Sequence, residues 1–311
     1  MTIPRDVKEA DLEIDGKKVR LTNLNKPFWP ELKILKRDLL QYYADVSKVL
    51  LPHLADRAMV MKRYPNGAHG EFFFMKRTPD PHPEWLQTCT IRPPSGNVIA
   101  FPVIGDLASL LWAVNLGCID LNQWYAKCDD VARPDYLHFD LDPVESESGK
   151  PVQWRKVLET ACHVHEALNA LGLPSYPKTS GSRGLHIYVP IVRGPVQKQV
   201  WTFAKAFARQ MEAAHPTLIT AEYRVAKRPA GRVLVDYNQN AWGRTLASVY
   251  SVRPKPNATV STPVTWDEVV AGFRVKNFHL RNVPQRIREK GDLYKPLLQK
   301  GGRVKLEKFL K

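Results

Sequence analysis

The segment Tyr136-Leu-His-Phe-Asp-Leu-Asp-Pro143 has the composition of a buried β-strand that is interrupted by two carboxylates. Because side chains alternate between the two faces of a strand, Asp140 and Asp142 point the same way, roughly 7 Å apart along the backbone. Two acids side by side repel each other unless a cation lies between them, and carboxylates are ligands that Mg²⁺ and Mn²⁺ prefer. The segment therefore predicts a divalent-metal site. The alternative is that Asp142 and Pro143 only end the strand and that Asp140 caps a nearby group.

Further along the chain, Ser180-Gly-Ser-Arg-Gly184 is predicted to form a turn that leads into a strand over 185–189. Glycines such as Gly181 let backbone N–H groups converge on an anion, and the hydroxyls of Ser180 and Ser182 and the guanidinium of Arg183 add donors. The turn is not a P-loop, because it lacks Gly-Lys-Ser/Thr and a strand follows it instead of a helix.

A third polar segment, Val235-Asp-Tyr-Asn-Gln-Asn240, ends a short strand predicted over 233–235 and supplies Asp236 as a third candidate metal ligand. Three carboxylates on strands suit metal-assisted phosphoryl chemistry, in which two cations about 3.5–4 Å apart activate a hydroxyl and neutralise the leaving group. A nuclease would need carboxylates and metals too. The turn at 180–184 favours a nucleoside triphosphate, because it supplies donors for further phosphates.

The chain is strongly basic, with 46 Lys and Arg against 31 Asp and Glu in 311 residues, a net charge of +15. Such an excess indicates a polyanionic partner, first of all nucleic acid, although a merely soluble basic protein is the alternative. The 44% hydrophobic content suits one large domain or two joined modules.

The cysteines (Cys89, Cys118, Cys128 and Cys162) form no CxxC pair and are predicted to be free thiols, which suits a reducing cytoplasm. Cys162-His-Val-His165 is interpreted as a structural part of a helix. The sequence has neither a signal segment nor an apolar run of about 18 residues, so the protein is predicted to be cytoplasmic, without contact with a membrane.

Apolar residues at three- and four-residue spacing predict helices at 35–51, 105–116, 153–171, 196–214 and from 266. Strands are predicted at 58–62, 118–124 and 245–252, and a hairpin at 10–22 with an Asp15-Gly16 turn. In the run Phe72-Phe-Phe74, Phe73 should face opposite to its neighbours. Base stacking by an exposed ring and a strand buried on both faces are the two alternatives.

Three motifs now stand in order: FDLDP at 139–143, SGSRGLH at 180–186 and VDYNQN at 235–240. They resemble the motifs of the archaeo-eukaryotic primase superfamily, in particular the polymerase domain of bacterial DNA ligase D and its stand-alone relatives. The resemblance extends from about Ile14 to Leu298. It implies a mixed α+β fold with two central β-sheets, flanking helices and catalytic carboxylates on strands. It also implies a polymerase domain at 1–298 and a basic tail at 299–311.

The resemblance implies catalytic and metal-binding roles for Asp140, Asp142 and Asp236. It implies nucleotide contacts for Ser180, Gly181, Ser182, Arg183, Asn122, Gln239, Arg244 and Arg253. Two positions depart from the family pattern: Arg183 stands where relatives often have Lys, and Asn122 where they often have His. Arg is a fixed fork and Lys a point charge, and Asn cannot become cationic, so phosphate contacts are expected to differ.

For the DNA side, the resemblance implies that Lys26 and Lys36 bind the 5′-phosphate of a gap or break and that Phe73 and Phe74 stack on template bases. A basic residue is not what the dipole favours at a helix start, so Lys36 is explained by a ligand or, alternatively, by simple solvation. Two ammoniums would neutralise the charge of about −2 on one phosphate.

The implied function is a template-directed nucleotidyltransferase that fills short gaps and extends ends in non-homologous end joining. Expected cofactors are two Mn²⁺ or Mg²⁺ ions, with NTP or dNTP as substrate and a preference for ribonucleotides. Expected partners are DNA ends with a 5′-phosphate, Ku and a separately encoded ligase, at the nucleoid. The alternatives are de novo priming and a catalytically silent end-bridging module. Lys26 and Lys36 favour gap filling, because priming needs no 5′-phosphate pocket.

Overall fold

The computed structural model describes residues 1–93, 96–145 and 154–310. The chain forms two compact units, each assembled from three separate segments. Unit 1 comprises Met1–Asp129, Thr245–Ser261 and Phe278–Asp292, and unit 2 comprises Asp130–Arg244, Thr262–Asn277 and Leu293–Lys311.

The strands are, in chain order, β1 (Ala10–Ile14), β2 (Lys17–Leu21), β3 (Pro27–Trp29), β4 (Ile34–Leu35), β5 (Met59–Arg63), β6 (Phe73–Met75), β7 (Thr88–Ile91), β8 (Ile99–Pro102), β9 (Cys118–Trp124), β10 (Tyr136–Pro143), β11 (Tyr176–Thr179), β12 (Leu185–Pro190), β13 (Ile219–Thr220), β14 (Val233–Asp236) and β15 (Thr245–Ala247). The α-helices are α1 (Lys36–Leu54), α2 (Leu107–Asn115), α3 (Trp154–Ala170), α4 (Gln197–Ala214), α5 (Trp266–Ala271) and α6 (Val283–Lys290). Short 3-10 helices lie at Pro30–Leu32, Val225–Lys227, Asn238–Asn240, Val275–Asn277, Lys295–Leu298 and Leu306–Phe309. Within the described residues, no helix combines the length and the apolar composition that crossing a membrane requires.

Unit 1 is built on a 4-stranded antiparallel sheet with the order β15-β9-β5-β6. Its strand β9 is buried along its whole length. The ribbons β1-β2, β3-β4 and β7-β8 belong to the same unit. The β1-β2 turn has positive φ at Asp15 (49°) and Gly16 (75°), which is the backbone that the Asp-Gly sequence predicted.

Unit 2 is built on a 5-stranded sheet with the order β11-β12-β10-β14-β13, which is antiparallel except for the pair β13-β14. The middle strand, β10, is buried from Tyr136 to Leu141. Helices α3 and α4 pack against it, and the rings of Phe139 and Phe207 lie 4.9 Å apart. The strand that carries two candidate metal ligands is therefore fixed by neighbouring strands and by two helices.

Most predicted elements occur with small shifts at their ends. The helix predicted at 35–51 continues to Leu54, whereas the strand predicted at 118–124 has the same bounds in the structure. The strand predicted at 245–252 is wrong beyond Ala247, because Tyr250 has a φ of 60°, a left-handed conformation that interrupts extended backbone. Gln153, the predicted start of α3, lies outside the described residues.

The prediction of free thiols is wrong for one pair of cysteines. Cys89 on β7 and Cys128, which follows β9, form a disulfide with their Cα atoms 5.8 Å apart. Cys118 and Cys162 are free thiols. The bonded residues are 39 positions apart and share no motif, so only the folding of unit 1 brings them together.

The Cys162–His165 segment lies on α3, as predicted. The ring of His165 stacks on Trp266 with centroids 3.8 Å apart, and that of His163 stacks on His215 at 3.9 Å. Both imidazoles pack against other parts of unit 2, which agrees with the structural role predicted for them.

Part of the segment predicted as a basic tail packs within unit 2. Nη1 of Arg303 donates to the carbonyl O of Asp135 at 2.9 Å, and Leu306 is fully buried. The rings of Phe309 and Phe203 lie 5.5 Å apart. The division into a domain at 1–298 and a tail at 299–311 stays a prediction, because packing alone does not show which residues the activity needs.

Candidate active site

The three predicted metal ligands lie next to one another on two strands of unit 2. Asp140 on β10 is the Cα partner of Asp236 on β14, and Asp142 follows two residues later on the same face of β10. Directly opposed residues of an antiparallel pair have neighbouring side chains. The structure therefore brings the third carboxylate to the pair that strand alternation had predicted.

Hydrogen bonds from the residues after Asp236 hold this strand end in place. Oδ1 of Asp236 accepts from the backbone N–H of Asn238 at 2.7 Å, and Oδ2 accepts from Nε2 of Gln239 at 3.0 Å. Asn240 is fully buried and exchanges two hydrogen bonds with the backbone of His138 on β10, at 3.0 and 2.7 Å. Gln239, predicted to contact the nucleotide, thus contacts a candidate metal ligand.

Repulsion between acids dominates the electrostatics of the site. The neighbouring Asp140 raises the pKa of Asp142 to about 7, with burial and Asp236 adding to the rise and Arg183 and Arg228 opposing it. Nε of Arg183 lies 3.9 Å from Oδ1 of Asp142. Sequence analysis did not single out Arg228, because nothing local links the loop between β13 and β14 to β10.

Glycine at position 184 lets the predicted phosphate turn pack against the carboxylate strand. A Cβ on Gly184 would overlap the carbonyl O of Leu141 and lie 2.9 Å from Oδ1 of Asp142. Any other residue would push the turn away from β10. The turn and the carboxylates are therefore parts of one site.

The donors of this turn divide into internal and exposed groups. Oγ of Ser180 accepts from the backbone N–H groups of Ser182 at 3.2 Å and Gly184 at 3.0 Å, so these two groups are used inside the turn. The guanidinium of Arg183 is 55% exposed, and its Nη1 lies 2.9 Å from Oε1 of Glu145. Arg183 is thus a cation that an anionic ligand can reach.

His186 and Lys178, to which sequence analysis assigned no role, extend the site into the sheet. Nε2 of His186 lies 3.3 Å from Oδ1 of Asp140, and its Nδ1 lies 2.7 Å from Nζ of Lys178. The pKa of His138 is lowered to about 3, mainly by burial, with His186 and Lys178 contributing. Alternation along the strand predicted at 185–189 could have indicated His186, which belongs to the SGSRGLH motif.

In unit 1, both Asn122 and Arg253 contact Asp120, which sequence analysis missed. Nδ2 of Asn122 donates to the carbonyl O of Asp120 at 3.1 Å, and Nε of Arg253 lies 3.2 Å from Oδ2 of Asp120. Asp120 is 2% exposed, so it is a buried partner that orients the guanidinium. Its place two residues before Asn122, on the same face of β9, was the available signal. The other predicted arginine contact, Arg244, is exposed and belongs to unit 2.

The two predicted phosphate-binding lysines lie side by side in unit 1. The backbone N–H of Lys36 donates to the carbonyl O of Lys26 at 2.8 Å, where the β3-β4 ribbon ends. Nζ of Lys36 donates to the carbonyl O of Thr22 and to Oδ1 of Asn115, both at 2.7 Å. Burial, with the neighbouring cations Lys26 and Arg63, lowers the pKa of Lys36 to about 8. Simple solvation is therefore the wrong explanation of Lys36, which is 4% exposed.

Three consecutive aromatic rings are exposed in unit 1, two of them on the edge strand β6. Phe72, Phe73 and Phe74 are 49%, 44% and 58% exposed. Nζ of Lys62 lies 3.8 Å from the ring centroid of Phe72, and the guanidinium of Arg63 lies 5.0 Å from that of Phe73. A strand buried on both faces is thus excluded. We call these five residues the aromatic patch.

The donor chemistry of the three carboxylates fits divalent cations. Carboxylate oxygens are hard ligands, and the raised pKa of Asp142 reflects a repulsion that a cation would relieve. In the part of the chain that the structure describes, no three His, Cys, Asp or Glu side chains enclose a metal position by themselves. The carboxylates face protein donors such as Gln239 and His186, and cation binding would require an exchange of those partners.

Comparison with known proteins identifies the family. The family model for the LigD primase-polymerase domain matches residues 35–294. The chain belongs to this family. The multifunctional non-homologous end joining protein LigD of Mycolicibacterium smegmatis is 34% identical over 282 residues, which cover 90% of this chain and 36% of that protein. The bifunctional non-homologous end joining protein LigD of Bacillus subtilis is 30% identical over 275 residues, 88% of this chain and 43% of that protein. The chain thus spans less than half of either LigD protein.

A solved structure supports the same assignment. The polymerase domain from Mycobacterium tuberculosis ligase D, in complex with DNA, matches with a TM-score of 0.83 and 32% identity, covering 89% of this chain and 97% of that chain. The match confirms the predicted α+β fold of the primase type. LigD primase-polymerase domains are metal-dependent nucleotidyltransferases, so the predicted reaction class is confirmed. The roles of individual residues stay predictions.

Proposed function

We propose that this LigD-family chain is a template-directed nucleotidyltransferase that fills short gaps and extends ends at DNA double-strand breaks. The observation that carries the proposal is the pairing of Asp140 with Asp236, with Asp142 on the same strand face, beside the turn that ends at Gly184. Carboxylates next to hydroxyl and guanidinium donors suit the transfer of a nucleotidyl group from a nucleoside triphosphate.

The residues of unit 2 would hold and orient the reacting groups. Asp140, Asp142 and Asp236 would bind two Mg²⁺ or Mn²⁺ ions, which when bound neutralise charge at the reacting phosphate. Gln239 keeps the carboxylate of Asp236 in place. Arg183 would leave Glu145 and donate to phosphate oxygens, and its planar fork would fix their orientation as well as attract them.

The remaining nucleotide contacts are part of the proposal: Ser180, Gly181, Ser182, Asn122, Arg244 and Arg253. Asn122 can hydrogen-bond a sugar or a phosphate in its neutral state, so its contact would not depend on protonation. The proposed preference for ribonucleotides requires a partner for the 2′-OH, which is both donor and acceptor.

Features of unit 1 support a DNA end as the partner. Lys26 and Lys36 would bind a downstream 5′-phosphate, and Phe73 and Phe74 would stack on template bases. The net charge of +15 favours a polyanion and predicts affinity that falls steeply with salt. The relatives are named for non-homologous end joining, so Ku and a DNA ligase activity are the proposed partners at the nucleoid.

Primer extension on a gapped duplex tests the proposal. The assay compares NTPs with dNTPs and Mg²⁺ with Mn²⁺, with and without a 5′-phosphate on the downstream strand. We expect templated addition that the phosphate stimulates. Lys26→Ala should reduce the stimulation and keep addition on the unphosphorylated gap, while Lys8→Ala, at an exposed lysine of unit 1, should change neither.

Two outcomes would contradict gap filling. Tight DNA binding without addition under any condition would indicate an end-bridging module. Synthesis on single-stranded template without a primer, together with no response to the 5′-phosphate, would indicate de novo priming.

A further inference from the structure

A row of polar side chains crosses the unit 2 sheet behind the carboxylates. Lys178 on β11 is the Cα partner of His186 on β12, and His186 is the partner of Asp140 on β10. Residues directly opposed on antiparallel strands place their side chains on the same sheet face. Lys178, His186 and Asp140 therefore form one continuous series, which we call the Lys–His–Asp row.

The inner part of this row is shut off from solvent. Lys178 is 0% exposed and His186 is 2% exposed. Nζ of Lys178 lies 2.7 Å from Nδ1 of His186, and Nε2 of His186 lies 3.3 Å from Oδ1 of Asp140. Both ring nitrogens thus face a polar neighbour: the Lys178–His186 pair is a hydrogen bond, and the His186–Asp140 pair is a close polar contact.

The chemistry of the two neighbours selects one tautomer of the ring. A lysine ammonium has three donors and no acceptor, whereas an ionised carboxylate only accepts. With Lys178 as the ammonium, Nδ1 accepts from it, which leaves the ring proton on Nε2, where it faces Asp140. The opposite tautomer would place a hydrogen against the ammonium and a lone pair against the carboxylate.

We propose that Lys178 is a positioning residue that holds His186 as the Nε2–H tautomer, so that this N–H orients the carboxylate of Asp140 for cation binding. Lys178 is far from solvent, and an apolar side chain of similar length would fill the same space without the desolvation of an ammonium. What lysine adds at this position is the hydrogen-bond donor. Groups that hydrogen-bond metal ligands set the orientation of those ligands, and their loss weakens metal binding.

The tautomer follows from contacts in unit 2 alone. Its consequence for Asp140 rests on the proposed function, because the orientation of this carboxylate matters for cations only if it is a ligand. The test therefore measures the tautomer of His186 and the affinity for Mn²⁺ separately.

Imidazole ¹⁵N NMR of the full chain without metal measures the tautomer of His186. The His186 signals are assigned by their loss in His186→Gln. We expect a neutral ring with its proton on Nε2 in the wild type and a rise of the Nδ1–H population in Lys178→Met. Lys156→Met is the matched control, because Lys156 is in the same unit and donates to the carbonyl O of Gly231 at 2.8 Å. It should leave the His186 signals unchanged.

Titration with Mn²⁺, followed by electron paramagnetic resonance, measures the affinity for the cation. We expect Lys178→Met to weaken Mn²⁺ binding about tenfold and Lys156→Met to leave it unchanged. A wild-type ring protonated on Nδ1 overturns the proposal, even if Lys178→Met does not fold. So does an unchanged tautomer or unchanged Mn²⁺ affinity in a folded Lys178→Met. A wild type with the expected tautomer but no Mn²⁺ binding contradicts the proposed metal site and leaves the role of Lys178 in the tautomer standing.

Discussion

The Lys–His–Asp row of unit 2 and the aromatic patch of unit 1 both have a place in the proposed reaction, but the row is buried and the patch is exposed. Lys178 and His186 are buried and hydrogen-bonded on a sheet whose strands fix their positions. Phe73 and Phe74 are about half exposed on a short edge strand. One region is preorganised before any ligand arrives, and the other offers ring faces to a partner.

This contrast corresponds to two different functions, metal-assisted transfer and base stacking. Metal-assisted transfer needs ligands held within a fraction of an ångström, so the active site belongs in a packed sheet. Stacking on bases tolerates every sequence, because each base has a π-face, so it needs exposed rings more than exact positions. Substitutions in the buried row should therefore change chemistry, whereas substitutions in the patch should change affinity.

The largest effect is expected for Asp140→Asn. The side chain keeps its shape and loses its charge, so nucleotide addition should fall by at least about a thousandfold in primer extension. DNA affinity should be kept, because the loss of a negative charge does not weaken a phosphate contact. Asp11→Asn, at an exposed acid of β1, should be fully active. Undiminished addition by Asp140→Asn would refute the assignment of the carboxylates.

Gly184→Ala should show how little space the active site leaves. The added Cβ meets the backbone of Leu141, which cannot move without disturbing β10. We expect a loss of about 3 kcal/mol in the free energy of unfolding by urea, together with a higher KM for the nucleotide. Gly301→Ala is the control, because a Cβ at that position meets no atom within 4 Å. Equal stability of the two variants would show that the turn is not tightly packed on β10.

Lys36 should make stability depend on pH. Its pKa is about 8 in the folded chain against the ordinary 10.5, so the unfolded state binds more protons between these values. Stability therefore rises with pH across this window. The difference in unfolding free energy between wild type and Lys36→Met should shift in favour of the wild type by on the order of 2 kcal/mol. Urea unfolding across the window measures it.

Lys48→Met, at an exposed lysine of unit 1, is the reference variant and is measured over the same pH range. A constant difference for Lys36→Met would mean that Lys36 keeps its proton in the folded chain.

The smallest effect is expected for Phe74→Ala in the aromatic patch. The ring is 58% exposed, so its removal should leave the melting temperature unchanged. Affinity for DNA with a template overhang should fall by about 1 kcal/mol, measured by fluorescence anisotropy. Val225→Ala, at a side chain 75% exposed in unit 2, should leave affinity unchanged. A folded Phe74→Ala that binds DNA as tightly as the wild type would remove this ring from the interface.

Prediction from sequence succeeded where the signal was local. The composition of short segments located β9 and β10, and an Asp-Gly turn located the first hairpin. It failed at Tyr250, whose left-handed backbone is imposed by its surroundings, and at Cys89 and Cys128, which no motif connects. Arg228 and Lys178 were missed for the same reason, because neither belongs to a local pattern that points to the carboxylates.

Local pattern was enough to place two acids on one face of a strand, a third acid at another strand end, and a glycine-containing turn between them along the chain. These features follow from the two-residue period of strands and from the chemistry of turns. The three-dimensional structure alone established that β14 pairs with β10 so that Asp236 faces Asp140, and that Lys178 lies buried behind His186. Strand order and register depend on the packing of the whole sheet, and no single segment contains that information.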